Sequence, residues 1–359
     1  MSAPALRIHG PVLPDGEVRD LYVVDGRVTY ERQPGAELVA EGWVVPGLVD
    51  AHNHLGLDDG GAVDDAEVER QALADRDTGA LLLRDCGSPA DTRWVQQRED
   101  LPRLVRAGRH IARTKRYIRN FGHEIEPADL PSYAAEQARA GDGWIKLVGD
   151  WISREEGDLA PSFPADSFAA AIAAAHAEGA RVTAHCFGRD VLPGLLEAGI
   201  DCIEHGTGLA VDQVEQMAAS GVALVPTVMQ TSKFPGFAEA GRERFPAYSA
   251  TMEELYAQRR EVLMSAWEAG VQLYVGSDGG GPARHGHLAG EILAMVEIGL
   301  PAEYVVAAAS WRAREWLGFD PLLDEGVEAD LVVLDRDPRV DPSVLYTPTR
   351  VVLRGRVVA

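Results

Sequence analysis

Six residues spread over more than half of the chain share one property: each closes a short apolar run with a group that holds a metal ion or carries a proton. They are His52, His54, Lys146, His185, His205 and Asp278. The first two end the segment Trp43-Val-Val-Pro-Gly-Leu-Val-Asp-Ala-His-Asn-His54. Alternate residues of a strand point the same way, so both imidazoles leave one face about 7 Å apart along it and can share one ion. Neutral imidazoles with a carboxylate suit Zn²⁺ or a similar divalent ion and leave positions open for water. Lys146 is out of place in such company, because an ammonium is repelled by dications. The conflict disappears if its ε-amine has lost its proton and reacted with carbon dioxide, since a carbamate is an anion with one oxygen for each of two metals. Arginine cannot do this. Among 34 basic residues only Lys115, Lys146 and Lys233 are lysines, which fits a chemical requirement at Lys146.

For these groups to meet, their strands must end on one rim. Between residues 166 and 278 a helix, a glycine and an apolar strand closed by a polar residue recur. The helix from Asp166 stops at Gly179, suited to a left-handed cap, and Arg181-Val-Thr-Ala-His185 follows. Ile200–His205, Val222–Thr227 and Val271–Asp278 repeat the pattern, and Thr78–Asp85, Gly108–Lys115 and Gly143–Val148 precede it. With the His52/His54 strand these make eight, which predicts a closed (β/α)8 TIM barrel with its site at the carboxyl ends of the strands. Both termini read instead as short alternating strands with tight turns. They predict a small β-sandwich domain made from residues 1–45 plus 320–359, flanking a metal-dependent hydrolase barrel over residues 46–319.

Composition narrows the function classes. A net charge of -22 excludes a phosphate-tracking or anionic-lipid surface, so no nucleic acid and no membrane are expected. No signal peptide and no 18-residue apolar run is read, which points to the cytoplasm. Cys86, Cys186 and Cys202 lack metal or disulfide spacing and read as buried apolar residues. The expected partner is a small-molecule substrate, with a homo-oligomer left open.

The ordered set Pro46-Gly-Leu-Val-Asp-Ala-His-Asn-His54, Lys146, Ala184-His185, Glu204-His205-Gly206 and Gly276-Ser-Asp278 resembles the amidohydrolase superfamily, in its binuclear branch with a carboxylated lysine. Within it the chain is similar to imidazolonepropionase-related and prolidase-like (Xaa-Pro dipeptidase-like) proteins. The likeness extends to Arg84-Asp85, His285-Gly286 and the tail from Leu323 to Asp335. It implies that His52, His54 and Asp278 hold one zinc, that His185 and His205 hold a second, and that carboxylated Lys146 bridges both with a hydroxide. That hydroxide would attack the carbonyl of a C–N bond in a dipeptide, an N-acyl amino acid or a cyclic amide. Asp278 would be the catalytic residue, taking the hydroxide proton and passing it to the departing amine.

His123, in Phe121-Gly-His-Glu124, stands where the relatives carry Gly-Gly-His and is read as a substrate contact, although Phe121 and Glu124 replace small residues. His9, His110, His176 and His287 are read as structural or exposed, and Arg154, Arg189 and Arg284 as candidate anchors for a substrate carboxylate. The alternative is a mononuclear deaminase or imidazolonepropionase-type hydrolase on the same barrel. Such deaminases place a glutamate shortly before the fifth-strand histidine, where this chain has Val182-Thr-Ala184. An inactive metal-binding scaffold is disfavoured because Asp278 accompanies every ligand.

Overall fold

A computed structural model describes residues 5–359. Alternating apolar residues at the two ends of the chain build one sheet. The strands Leu6–Val12, Glu17–Val24, Arg27–Thr29, Glu37–Glu41 and Trp43–Pro46 come from the amino end, and Leu331–Leu334, Arg350–Leu353 and Arg356–Val357 from the carboxyl end. The ends meet where Leu331–Leu334 runs antiparallel to Trp43–Pro46, burying Val44, Leu331 and Val333 completely. This sheet has its own apolar cluster, including Ile8, Leu21 and Val352.

From Pro46 the chain passes through Gly47 into the strand Leu48–Asp58, and the architecture changes to parallel strands with intervening helices. Leu48–Asp58 pairs with Ala80–Asp85, which pairs with Arg103–Arg106. A second parallel series runs Ile111–Arg113, Trp144–Val148, Arg181–Cys186, Cys202–His205 and Ala223–Val225. A few backbone hydrogen bonds join the two series, on one side through residues 271–278. Asp142 N–H donates to the Arg106 carbonyl at 2.8 Å, Tyr274 N–H to Leu224 at 3.1 Å, and Ala51 N–H to Val275 at 2.8 Å. The result is a TIM-barrel-like α/β fold. Buried on both faces, the strands are near-continuous apolar runs, as in Leu81-Leu-Leu83. The helix Ala165–Ala177 buries Phe168, Ala171, Ile172 and Ala175, the three-and-four spacing of one helical face, and Phe168 alone contributes about 1.5–3 kcal/mol by burial.

Two strands differ from the sequence expectation. Residues 271–278 bond to both neighbours without a continuous ladder, because the segment is drawn tightly against the first strand. A Cβ on Gly276 would lie 2.4 Å from the His52 Cβ. The third strand is broken, with Arg103–Arg106 carrying the pairing to the second strand and Ile111–Arg113 the pairing to the fourth. Among the described residues no helix is long and apolar enough to cross a membrane.

Candidate active site

The six strand-end residues come together. His52 and His54, alternate residues of Leu48–Asp58, bring their Nε2 atoms within 3.2 Å of each other. Asp278 Oδ1 lies 3.2 Å from His52 Nε2 and 3.3 Å from His54 Nε2, and Lys146 Nζ lies 3.3 Å from His52 Nε2. Adjacent strands set His205 beside His185, through the pairing of Cys186 with His205, and His205 Nε2 is 2.9 Å from His185 Nδ1. Ligand atoms of His52, His205 and Asp278 all lie within 4.8 Å of one another.

For two of the rings the surroundings fix which nitrogen carries the proton. His54 Nδ1 faces the Gly87 carbonyl at 2.8 Å, and a carbonyl only accepts, so Nδ1–H donates and Nε2 keeps its lone pair. His52 Nδ1 lies 2.7 Å from Glu204 Oε2. His205 Nδ1 lies 2.6 Å from Thr227 Oγ1, whose own hydrogen goes to the Pro226 carbonyl at 2.9 Å. His54 and His205 therefore turn bare Nε2 atoms inward, and the Nε2 of His52 also lies beside the Asp278 carboxylate. Lone pairs that face each other at such distances repel unless a cation lies between them, and an outer acceptor on Nδ1 is the usual support of a metal-bound histidine. The donor set fits divalent ions, as metal use in the family leads one to expect.

Three of the imidazoles are held neutral, whereas at His52 burial and Lys146 are outweighed by Glu204 and Asp278, which raise its pKa. Burial lowers the pKa of His205 to about 3, and burial likewise holds His54 below and His185 well below the ordinary histidine value. Burial opposes ionisation of Asp278, but His52 and His54 outweigh it and keep the carboxyl well below the usual range. Glu204 is likewise kept ionised against burial by Arg84, His52 and Lys146. Arg84 Nη2 donates to Glu204 Oε1 at 2.5 Å, Thr183 also donates to that oxygen, and the guanidinium lies 4.7 and 5.0 Å from the ring centres of Trp144 and Trp316. The glutamate beneath His52 is thus itself locked.

The backbone is strained at the same rim. His205, Thr227 and Asp278 have φ of 68°, 44° and 53°, left-handed values that cost a non-glycine residue about 1–3 kcal/mol. For β-branched Thr227 the conformation is a true outlier, and it aims the hydroxyl at His205.

A cavity of about 220 Å³ opens above this group. Its wall comes from the loops after the strands: Tyr117, Phe121, Trp151, Phe187, Phe237 and Tyr248. His123 is not among its lining residues. Its ring stacks on Tyr133 at 4.0 Å over a separate surface cleft, because Ile111–Arg113 pairs with His123–Ile125 and carries the histidine away from the rim. His110, read from sequence as structural or exposed, lines the cavity instead. It is buried, shares the Gly87 carbonyl with His54 at 3.2 Å, and leaves its Nε2 without a partner. The signal lay in the register of the third strand, where Leu104-Val105 form the barrel strand and put His110 beyond its carboxyl end. Glu204 and Thr227, the supports of His52 and His205, were also not assigned roles from sequence. Arg154, Arg189 and Arg284 do not line the cavity, and Arg189 is bound to Glu254 and Gln258.

The model of the amidohydrolase family matches residues 43–358. The chain belongs to the amidohydrolase family. It is an enzyme that hydrolyses C–N bonds. The uncharacterized protein Rv2915c of Mycobacterium tuberculosis is 52% identical over 356 residues, covering 99% of this chain and 96% of the relative. Among solved structures, this amidohydrolase is similar to a Xaa-Pro dipeptidase with methionine bound in its active site, at a TM-score of 0.83 and 21% identity over 98% of this chain and 99% of that one. Aspergillus niger ochratoxinase gives a TM-score of 0.82 at 21% identity, over 99% of this chain and 96% of that one. The prolidase-like resemblance read from the motifs agrees with these likenesses.

Proposed function

We propose that this amidohydrolase is a metal-dependent hydrolase that cleaves the amide C–N bond of a small molecule with two divalent ions, zinc by its donor set. His52, His54 and Asp278 would hold one ion and His185 and His205 the other, with Lys146, as a carbamate, between them. Such ions supply a Lewis acid for the carbonyl and a water acidified to near neutral pH. The observation that carries the reading is the convergence of His52, His54 and His205 on Asp278, with His54 and His205 each held by an acceptor on Nδ1 so that Nε2 faces inward.

The chain's own residues supply the rest. Asp278, ionised and exposed to the cavity, is the proton carrier, accepting a proton from the attacking water and returning it to the departing nitrogen. Burial raises the pKa of Tyr117, so its phenol stays protonated where it lines the cavity. The surroundings of Lys146 support the carbamate. Only 2% exposed, it has its Nζ 3.3 Å from His52 Nε2, among the residues that would hold the ions. The same reading closes the parallel strands into a (β/α)8 barrel over residues 46–319 and assigns residues 1–45 and 320–359 to a flanking domain. The experiment is Lys146→Ala with metal content and turnover measured together. Both are expected to fall, and unchanged kinetics would remove the carbamate.

A further inference from the structure

We propose that the substrate carries no ionised group on either side of the scissile bond. It is a compact, uncharged amide with an aromatic or branched apolar substituent. This rests on the hydrolase reading for the bond cleaved, but not for what surrounds that bond. In the reaction water adds across the C–N bond. Its oxygen ends on the carbonyl carbon as the acid, and the departing nitrogen gains a proton.

The wall carries the argument. Tyr117 packs edge-on against Trp151 with ring centres 4.8 Å apart, Trp151 lies 6.4 Å from Phe187, and Phe187 lies 4.7 Å from Phe234 behind it. Lys146 is the one lysine or arginine lining the cavity among the described residues, and it sits in the floor with the histidines. Two nearby cations do not line the cavity and bond neutral oxygens. Arg116 spends Nη2 on the carbonyls of Trp151 and Ala160, at 3.2 and 3.0 Å. Lys233 sits behind the wall residue Gln230, with Nζ on Gln230 Oε1 at 2.8 Å. Away from the floor, a substrate carboxylate against this wall exchanges water for aromatic rings with no lysine or arginine beside it, which is strongly unfavourable. A substrate ammonium fares no better. Asp278 is the one carboxylate in the lining, and it is committed to His52 and His54. At longer range the net charge of -22 repels an anion before it arrives. Size sets the last limit. The cavity of about 220 Å³ is smaller than the roughly 300–1,000 Å³ that holds drug-sized ligands.

The test uses the zinc-reconstituted full chain and three compounds that share one scissile amide. N-acetyl-2-phenylethylamine is neutral, N-acetylphenylalanine adds a carboxylate, and glycyl-2-phenylethylamine adds an ammonium. Affinity is measured by calorimetry and kcat/KM separately. The neutral compound is expected to exceed both charged ones by about 100-fold in affinity. Equal or tighter binding of either charged compound overturns the inference and leaves the hydrolase reading intact. So does failure of the neutral compound to bind below about 1 mM. Preferential binding of the neutral compound without turnover of any of the three would instead support the inference and count against the hydrolase reading. Two variants sharpen the result. Gln230→Arg is expected to bring the carboxylate compound toward parity by supplying the missing cation. Lys233→Met is expected to leave the neutral-to-anionic ratio unchanged, and a selective loss of the anionic compound would make Lys233 a carboxylate anchor and sink the proposal.

Discussion

The floor and the wall of the cavity are built by opposite means. The floor is strand-borne and polar. His54 and His205 are each fixed by a hydrogen-bond partner one layer down, His52 lies against Glu204, and the backbone is held in left-handed conformations at three rim residues. The wall is loop-borne and aromatic, with few hydrogen bonds to define it. Its residues come from the segment after Ile111–Arg113, the hairpin Asp150–Ser153 with Asp158–Pro161, and the helices Phe234–Gly241 and Pro246–Glu268. The difference divides the labour. Changes in the floor should alter chemistry and metal content at nearly constant substrate affinity, and changes in the wall should do the reverse.

The sharpest way to break that division is Asp278→Asn. It removes the proposed proton carrier while keeping size, so kcat should fall by about 10²–10⁴ with affinity for a bound amide retained. Full turnover would assign the proton to another group. One layer down, Glu204→Gln leaves Arg84 without its charge partner and loosens His52. Metal affinity should drop about 10–100-fold, and removing one partner of the buried pair should cost about 3–5 kcal/mol of stability. Metal titration and denaturant unfolding read the two effects separately, and retention of both would make Glu204 a bystander.

A subtler link between floor and wall runs through Glu291. Its buried carboxyl accepts the N–H groups of Val228 at 2.5 Å and Met229 at 2.8 Å, just after Thr227, and so steadies the segment that carries both Thr227 and Gln230. Burial raises its pKa from 4.5 to about 8. Between those values the native chain holds a proton that the unfolded chain has released. The stability from this group is therefore complete below pH 4.5 and declines as the pH rises toward 8. Glu291→Gln should flatten that part of the stability profile in thermal unfolding, and an unchanged profile would mean that Glu291 is ionised throughout. The smallest effect belongs to the wall, where Trp151→Ala should weaken binding of a neutral aromatic amide by about 10-fold with metal content unchanged. A loss of metal instead would show that wall and floor are coupled.

Legibility in the sequence follows the same division. The floor residues end apolar strands in a fixed order, and strand periodicity makes such positions readable. The pairings of Val148 with His185 and of Cys186 with His205 follow from it. The glycine ends of the helices were equally visible, and Gly179 has the left-handed φ of 79° expected of it. The third strand was less legible: it pairs over Arg103–Arg106 and Ile111–Arg113, which puts His110 beyond the first of these, while His123, read from its likeness to a Gly-Gly-His segment, stands away from the cavity. No pattern along the chain marks the aromatic wall, because Tyr117, Trp151 and Phe237 sit on a bend, a short strand and a helix that meet only after the barrel has placed them. The supports Glu204 and Thr227 lay within recognised strands. Their roles depend on partners across the sheet that spacing along the chain does not reveal.

The central claim is that the inward-turned imidazoles, Asp278 and Lys146 hold a pair of divalent ions. Elemental analysis of the chain after zinc reconstitution and removal of excess metal tests it most directly. The account predicts close to two zinc ions per chain, lost together when His52 and His205 are both replaced by Ala. Close to one ion would favour a mononuclear site, and an unmetallated chain with full activity would contradict the account outright.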